Sequence, residues 1–227
     1  MQGQDADVRE VRVRIGEVEL GGSLGVPQGA RGLVIFAHGS GSSRFSPRNR
    51  AVARSLREAG LGTLLFDLLS PEEEAEDEVT GALRFDIAFL ARRLTEVTEW
   101  VARQPGLADL KRGYFGSSTG AAAALVAAAL RPEGLHAVVS RGGRPDLAIP
   151  VLDRVRAPTL LIVGGDDTQV LELNEEAFTQ LGEPKELQVI PGATHLFEEP
   201  GTLEQVARYA ADWFVKYLGE AGLEART

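Results

Sequence analysis

The chain of 227 residues has a formal net charge of −9, 3 histidines and no cysteine. One substantial core fits that length, disulfides and thiolate metal sites are excluded, and the acidic balance suits a nucleic-acid partner poorly. The most apolar stretch, Ala121 to Leu130, is far short of the roughly 20 residues a bilayer crossing needs. The polar start, Met1 to Glu10, has no signal core. A cytoplasmic protein without membrane contact is therefore expected, and a homodimer stays open.

Alternating apolar and polar residues from Val8 to Ile15 and from Val18 to Leu24, around Gly16-Glu17, predict an antiparallel hairpin. Short apolar runs then follow, typical of strands buried on both faces: Leu33 to Ala37, Thr63 to Phe66, Gly113 to Phe115, Ala137 to Val139, Thr159 to Val163 and Glu186 to Ile190. Between them the pattern is helical over Pro47 to Ala59, with Ser46 as N-cap and Pro47 in first position, and over Ala82 to Arg103, Ala121 to Leu130, Leu171 to Leu181 and Leu203 to Leu218. The acidic run Pro71 to Glu78 reads as a solvated loop. Strand and helix alternate, which predicts one α/β domain over 1–227: a doubly wound, mostly parallel sheet with an N-terminal hairpin.

Gly116-Ser117-Ser118-Thr119-Gly120 lies between a strand and the Ala-rich helix. GxSxG there describes a turn tight enough to force its central residue into strain, with glycines where backbones close up. Ser118 is the candidate nucleophile and needs a base. Of the histidines, His136 opens a strand, at the wrong edge for a parallel-sheet site, and His38 precedes a Gly/Ser loop that it is expected to shape. His195, in a loop after the last strand, is the candidate base. The acid that would orient it follows Leu160 to Val163 in Gly164-Gly165-Asp166-Asp167. Asp167 is preferred to Asp166, with turn or capping roles as the alternative for both.

An oxyanion site needs two backbone donors. The amide of Thr119 and that of Ser40, with Gly39 next, are the candidates, since His38-Gly39-Ser40-Gly41-Ser42-Ser43 lets a carbonyl approach the main chain. That loop lacks the lysine and spacing of a P-loop. Arg141 and Arg144 follow the strand after the elbow and either grip a substrate carboxylate or pair with nearby acids.

The order Ser118, Asp167, His195, together with HGSGSS, GSSTG, GGDD and ATHLF, resembles the α/β-hydrolase superfamily, and within it the small dienelactone-hydrolase-like esterases. Phe115 to Ala124 and Arg141 to Asp146 also look like a bacterial subgroup sometimes fused to phosphoribosyltransferase-like domains, which would be a separate module. Dienelactone hydrolases proper use cysteine as nucleophile, so the resemblance here implies a serine carboxylesterase. Cap domains of the superfamily enter after the strand ending near Ser140, and only about twenty residues separate it from Thr159. No cap and a shallow pocket for a small-molecule ester with a short acyl chain follow as expectations, with no metal or organic cofactor implied. A thioesterase or acyltransferase would use the same residues, a non-catalytic binding module would merely retain them, and a haloalkane dehalogenase would want aspartate at 118.

Overall fold

The computed structural model describes residues 8–219; the polar stretch before residue 8, part of the region read for a signal core, lies outside them. The hairpin forms as expected, β1 (Val8–Ile15) against β2 (Val18–Gly25). It joins β3 (Gly32–Ala37), β4 (Gly62–Phe66), β5 (Lys111–Ser117), β6 (Leu135–Arg141), β7 (Thr159–Gly164) and β8 (Lys185–Ile190) in one sheet of order β1-β2-β4-β3-β5-β6-β7-β8. β2 meets β4 antiparallel, and every pairing from β4 to β8 is parallel. The strands read as unbroken apolar runs because both faces are covered: Leu33, Ile35 and Ala37 enter one core, Val34 and Phe36 the other.

On the first face lie α3 (Ile87–Ala102), α4 (Thr119–Leu130) and α5 (Thr168–Gln180); on the second, α1 (Pro47–Glu58) and α6 (Thr202–Phe214). Ser46 caps α1, its hydroxyl accepting from the Asn49 amide, with Pro47 in the first turn. In α4 the alanines let the helix lie almost wholly buried against α3 and the sheet. No segment the size of a cap follows β6; a 3-10 stretch, Pro145–Arg154, packs on α4 and α5 instead.

The acidic run departs from expectation. It is helix α2 (Pro71–Thr80), started by a capping box in which Ser70 Oγ accepts from the Glu73 amide and Glu73 accepts from the Ser70 amide. Glutamate is a good helix former, and the cap satisfies two amides that the start of the helix would leave open. Glu73 also binds Arg93 of α3 through two bonds of 2.7 and 2.9 Å. The helix expected from Ala82 is delayed as well: Leu83–Phe85 form a 3-10 turn, and Asp86 caps α3 at the Phe89 amide.

Asp77 ties these pieces together. It is 2 % exposed and accepts from the amides of Leu83 and Arg84 and from Arg84 Nε, at 2.6, 3.2 and 2.5 Å. Burial pushes its carboxyl up, but the Arg84 guanidinium and the two amides outweigh that and hold it below the usual carboxylate range. Asp77→Ala leaves those donors unpaired and is expected to lower the urea-unfolding free energy by about 3 kcal/mol.

Candidate active site

The sheet order itself locates the site. From β3 the chain steps to β4 on one side and then crosses back to β5 on the other. The carboxyl ends of β3 and β5 therefore flank the point where the winding reverses, the customary place for a ligand in such sheets. There the loop after β3, residues 38–43, meets the turn after β5.

That turn is strained as its pattern demands. Ser118 sits at φ 52°, ψ −123°, outside the ordinary range of an L residue. The surroundings impose it: a Cβ on Gly116 would run into the backbone of Ala121, and one on Gly120 into the carbonyls of Ala37 and His38. The Ser118 amide donates to the Arg141 carbonyl at 3.3 Å, and the Ser118 carbonyl accepts from the amides of Ala121 and Arg144 at 3.1 and 3.2 Å. Gly116→Ala should cost about 3 kcal/mol in chemical denaturation, because the clash is with backbone that cannot yield.

His195 Nδ1 lies 2.7 Å from Asp167 Oδ2, joining the loops after β8 and β7. Asp166 points outward, exposed, with its amide on the Ala193 carbonyl at 3.0 Å, so the structure brings the second aspartate of the pair to the ring. The ring approaches the elbow through Gly142: a Cβ there would lie 3.6 Å from His195 Cε1, one residue beyond the Arg141 carbonyl that holds Ser118. No hydrogen bond links Ser118 Oγ to the imidazole among the described residues.

Gly39 packs on the elbow, where an added Cβ would lie 3.1 Å from Ser118 Cβ. The Ser40 amide comes to the same point but is engaged, donating to Thr119 Oγ1 at 2.9 Å. Thr119 supplies the first amide of α4, a position without an intrahelical acceptor. Arg144 pairs through two bonds of 2.8 Å with Asp146. Arg141 is 7 % exposed and has no such partner.

His38 has the expected loop-shaping place. Its Nε2 accepts from the Leu68 amide at 3.0 Å, which assigns the proton to Nδ1, donated to the Gly39 carbonyl at 2.9 Å. His136 stays at the start of β6, where its Nδ1 accepts from the Arg112 amide at 3.4 Å. The loop after β3, together with α2, encloses a cavity of about 230 Å³. Glu74, Asp77 and Glu78 line it, a role hidden in the sequence once their segment is read as a loop.

Burial holds the His38 pKa below the ordinary histidine value. The unfolded chain then takes up a proton that the folded chain refuses, so stability present above about pH 6.5 drains away as pH falls below it. Unfolding free energies measured between about pH 7 and 5 should fall on acidification, and His38→Gln should flatten that slope. Part of the slope will remain, because burial lowers the pKa of His136 too.

The model of the dienelactone hydrolase family matches residues 20–218. A solved dienelactone hydrolase from Anabaena variabilis is 59 % identical, with a TM-score of 0.91 over 93 % of this chain and 99 % of that one. Est1E from Butyrivibrio proteoclasticus, 16 % identical, shares the fold at a TM-score of 0.79 over 93 % and 99 %. A Mycobacterium tuberculosis protein bearing the provisional name phosphoribosyl transferase is 60 % identical over 209 residues, 92 % of this chain and 46 % of the relative. The chain thus spans less than half the length of that curated relative. By the family match and the Anabaena identity, the chain belongs to the dienelactone hydrolase family.

Proposed function

We propose that this hydrolase-family chain is a serine carboxylesterase acting on small, short-chain acyl esters. The observation that carries the reading is the 2.7 Å contact of His195 Nδ1 with Asp167, made at the edge where Ser118 is strained outward. The phosphoribosyl transferase in the Mycobacterium relative's name is said of a protein of which this chain matches 46 %. The cysteine of dienelactone hydrolases proper is replaced by Ser118, a weaker nucleophile that depends more on its base.

In the proposed cycle Ser118 Oγ attacks the ester carbonyl while its proton passes to His195 Nε2. Asp167 keeps the Nδ1 proton in place and stabilises the imidazolium. The carbonyl oxygen, now an oxyanion, accepts from the Thr119 amide and from the Ser40 amide, which the Thr119 hydroxyl holds in the meantime. The tetrahedral adduct collapses, the ester C–O bond breaks, and the alcohol leaves with the imidazolium proton. Water then attacks the acyl-enzyme, giving a proton to His195; the bond between the acyl carbon and Ser118 Oγ breaks, Ser118 takes the proton back from the imidazolium, and the acid is released. The serine–imidazole hydrogen bond is made when substrate fills the site, a common change from the ligand-free geometry.

One feature supports small substrates, and a second bears on their charge. The cavity beside the loop after β3, about 230 Å³, lies below the roughly 300–1,000 Å³ of drug-sized ligand pockets. Its wall also carries Glu74 and Glu78, while its Arg84 is held by Asp77, a balance that disfavours an anionic tail on that side.

A fluorophosphonate probe should label Ser118, and Ser118→Ala should remove the label and about 10⁶ of kcat on a short-chain aryl ester. Asp167→Asn should cost roughly 10⁴ by favouring the wrong imidazole tautomer, with Asp166→Asn near the parent. A larger loss from Asp166→Asn would reassign the acid. A preference for acyl chains beyond about eight carbons would contradict the small pocket, and faster turnover of acyl-CoA than of simple esters would move the reading to a thioesterase.

A further inference from the structure

We propose that Arg141 and Arg48 form an anion subsite beside Ser118, one that takes a compact oxyanion group of the substrate, phosphoryl or carboxylate. This rests on the esterase reading for its use, though not for its existence.

Arg141 ends β6 in register with Ser117 of β5. Side chains alternate along a strand, so it shares the face of Val139, toward α1 and α6. It is 7 % exposed, and both Nε and Nη1 are enclosed without a hydrogen-bond partner among the described residues. A buried guanidinium is normally paired. Acids on the adjoining segments have other partners: Asp146 with Arg144, Asp167 with His195, and Glu198 with Arg48 at 3.1 Å.

The charge that acts on Arg141 is another cation's. Burial and the charge of Arg48 pull the Arg141 pKa down to about 10. Arg48 also has an enclosed Nε with no partner. Both side chains abut the loop carrying His195: Arg48 through Glu198, and Arg141 through the Phe197 ring, 6.0 Å from its guanidinium carbon. Arg48 further belongs to the first turn of α1, the positive end of a 12-residue helix.

Water could satisfy the orphaned N–H groups but would leave the buried Arg141 charge without a counter-ion, since Glu198 offsets only that of Arg48. An anion satisfies both needs. The opposite flank of the elbow is the cavity walled by Glu74 and Glu78. A substrate with one anionic end therefore has a single favoured orientation across Ser118.

The test separates binding from turnover. Inorganic phosphate and, separately, acetate are titrated calorimetrically into Ser118→Ala protein. One of the two should bind in the millimolar range or tighter, and which one identifies the group. Arg141→Met should weaken that binding by at least about tenfold, and Arg48→Met by several-fold. Arg48 is the more exposed of the pair, so its variant decides the matter if Arg141→Met fails to fold. With active enzyme, an ester bearing the favoured anion should exceed its neutral counterpart in kcat/KM by about tenfold, a preference Arg48→Met abolishes. Absence of binding by both anions, or binding that Arg48→Met leaves unchanged, overturns the subsite. Phosphate or acetate binding in a chain that hydrolyses no ester would leave the subsite standing and remove the esterase reading.

Discussion

The strained backbone of Ser118 is the constraint from which the rest of the site follows. Gly116 lets β5 close on α4, and Gly120 lets α4 close on the end of β3, at distances where no Cβ fits, and the turn between them holds Ser118 at φ 52°. Such a conformation costs on the order of 1–3 kcal/mol and persists only where the surroundings over-determine it. Three backbone hydrogen bonds do so: the Ser118 carbonyl accepts from the amides of Ala121 in α4 and Arg144 in the loop after β6, and the Ser118 amide donates to the Arg141 carbonyl at the end of β6. The same bonds fix where Thr119 presents its amide and where Arg141 begins.

From that point the loops are stitched inward. A Cβ on Gly164 would meet the backbone of Ala193, so the loops bearing Asp167 and His195 are drawn together by close approach as well as by the carboxylate–imidazole bond. His38 does the same on the other side, its two ring nitrogens spanning Gly39 and Leu68. The result is an asymmetric rim. Acidic side chains of α2 line the cavity on one flank, and on the other two arginines meet the histidine loop, Arg48 paired with Glu198 and Arg141 with no hydrogen-bonded acid among the described residues.

The strands, the hairpin and most helices were legible because burial on both faces leaves apolar runs such as Leu33 to Ala37, and because caps such as Ser46-Pro47 are local signals. Helix α2 was missed although its signal is equally local: Ser70 followed at the third residue by Glu73 is a capping box, outweighed in the reading by the charge of the run. The pairing of Asp167 with His195 could be anticipated from their places in the loops after the last two strands, from the poorer positions of His38 and His136, and from chain order. Other features could not. Whether the Ser40 amide is free, that Arg144 finds Asp146 while Arg141 finds nothing, and that Arg48 stands near Arg141 all depend on which loops meet across the sheet edge.

The most direct test of the central claim is mass analysis of the chain quenched within the first turnover of an aryl acetate. The account predicts one acetyl group per chain, on the peptide carrying Ser118, with a matching burst of phenol, and neither in a His195→Ala variant. An acetyl group on another residue, or hydrolysis that proceeds with Ser118 never acylated, would contradict it.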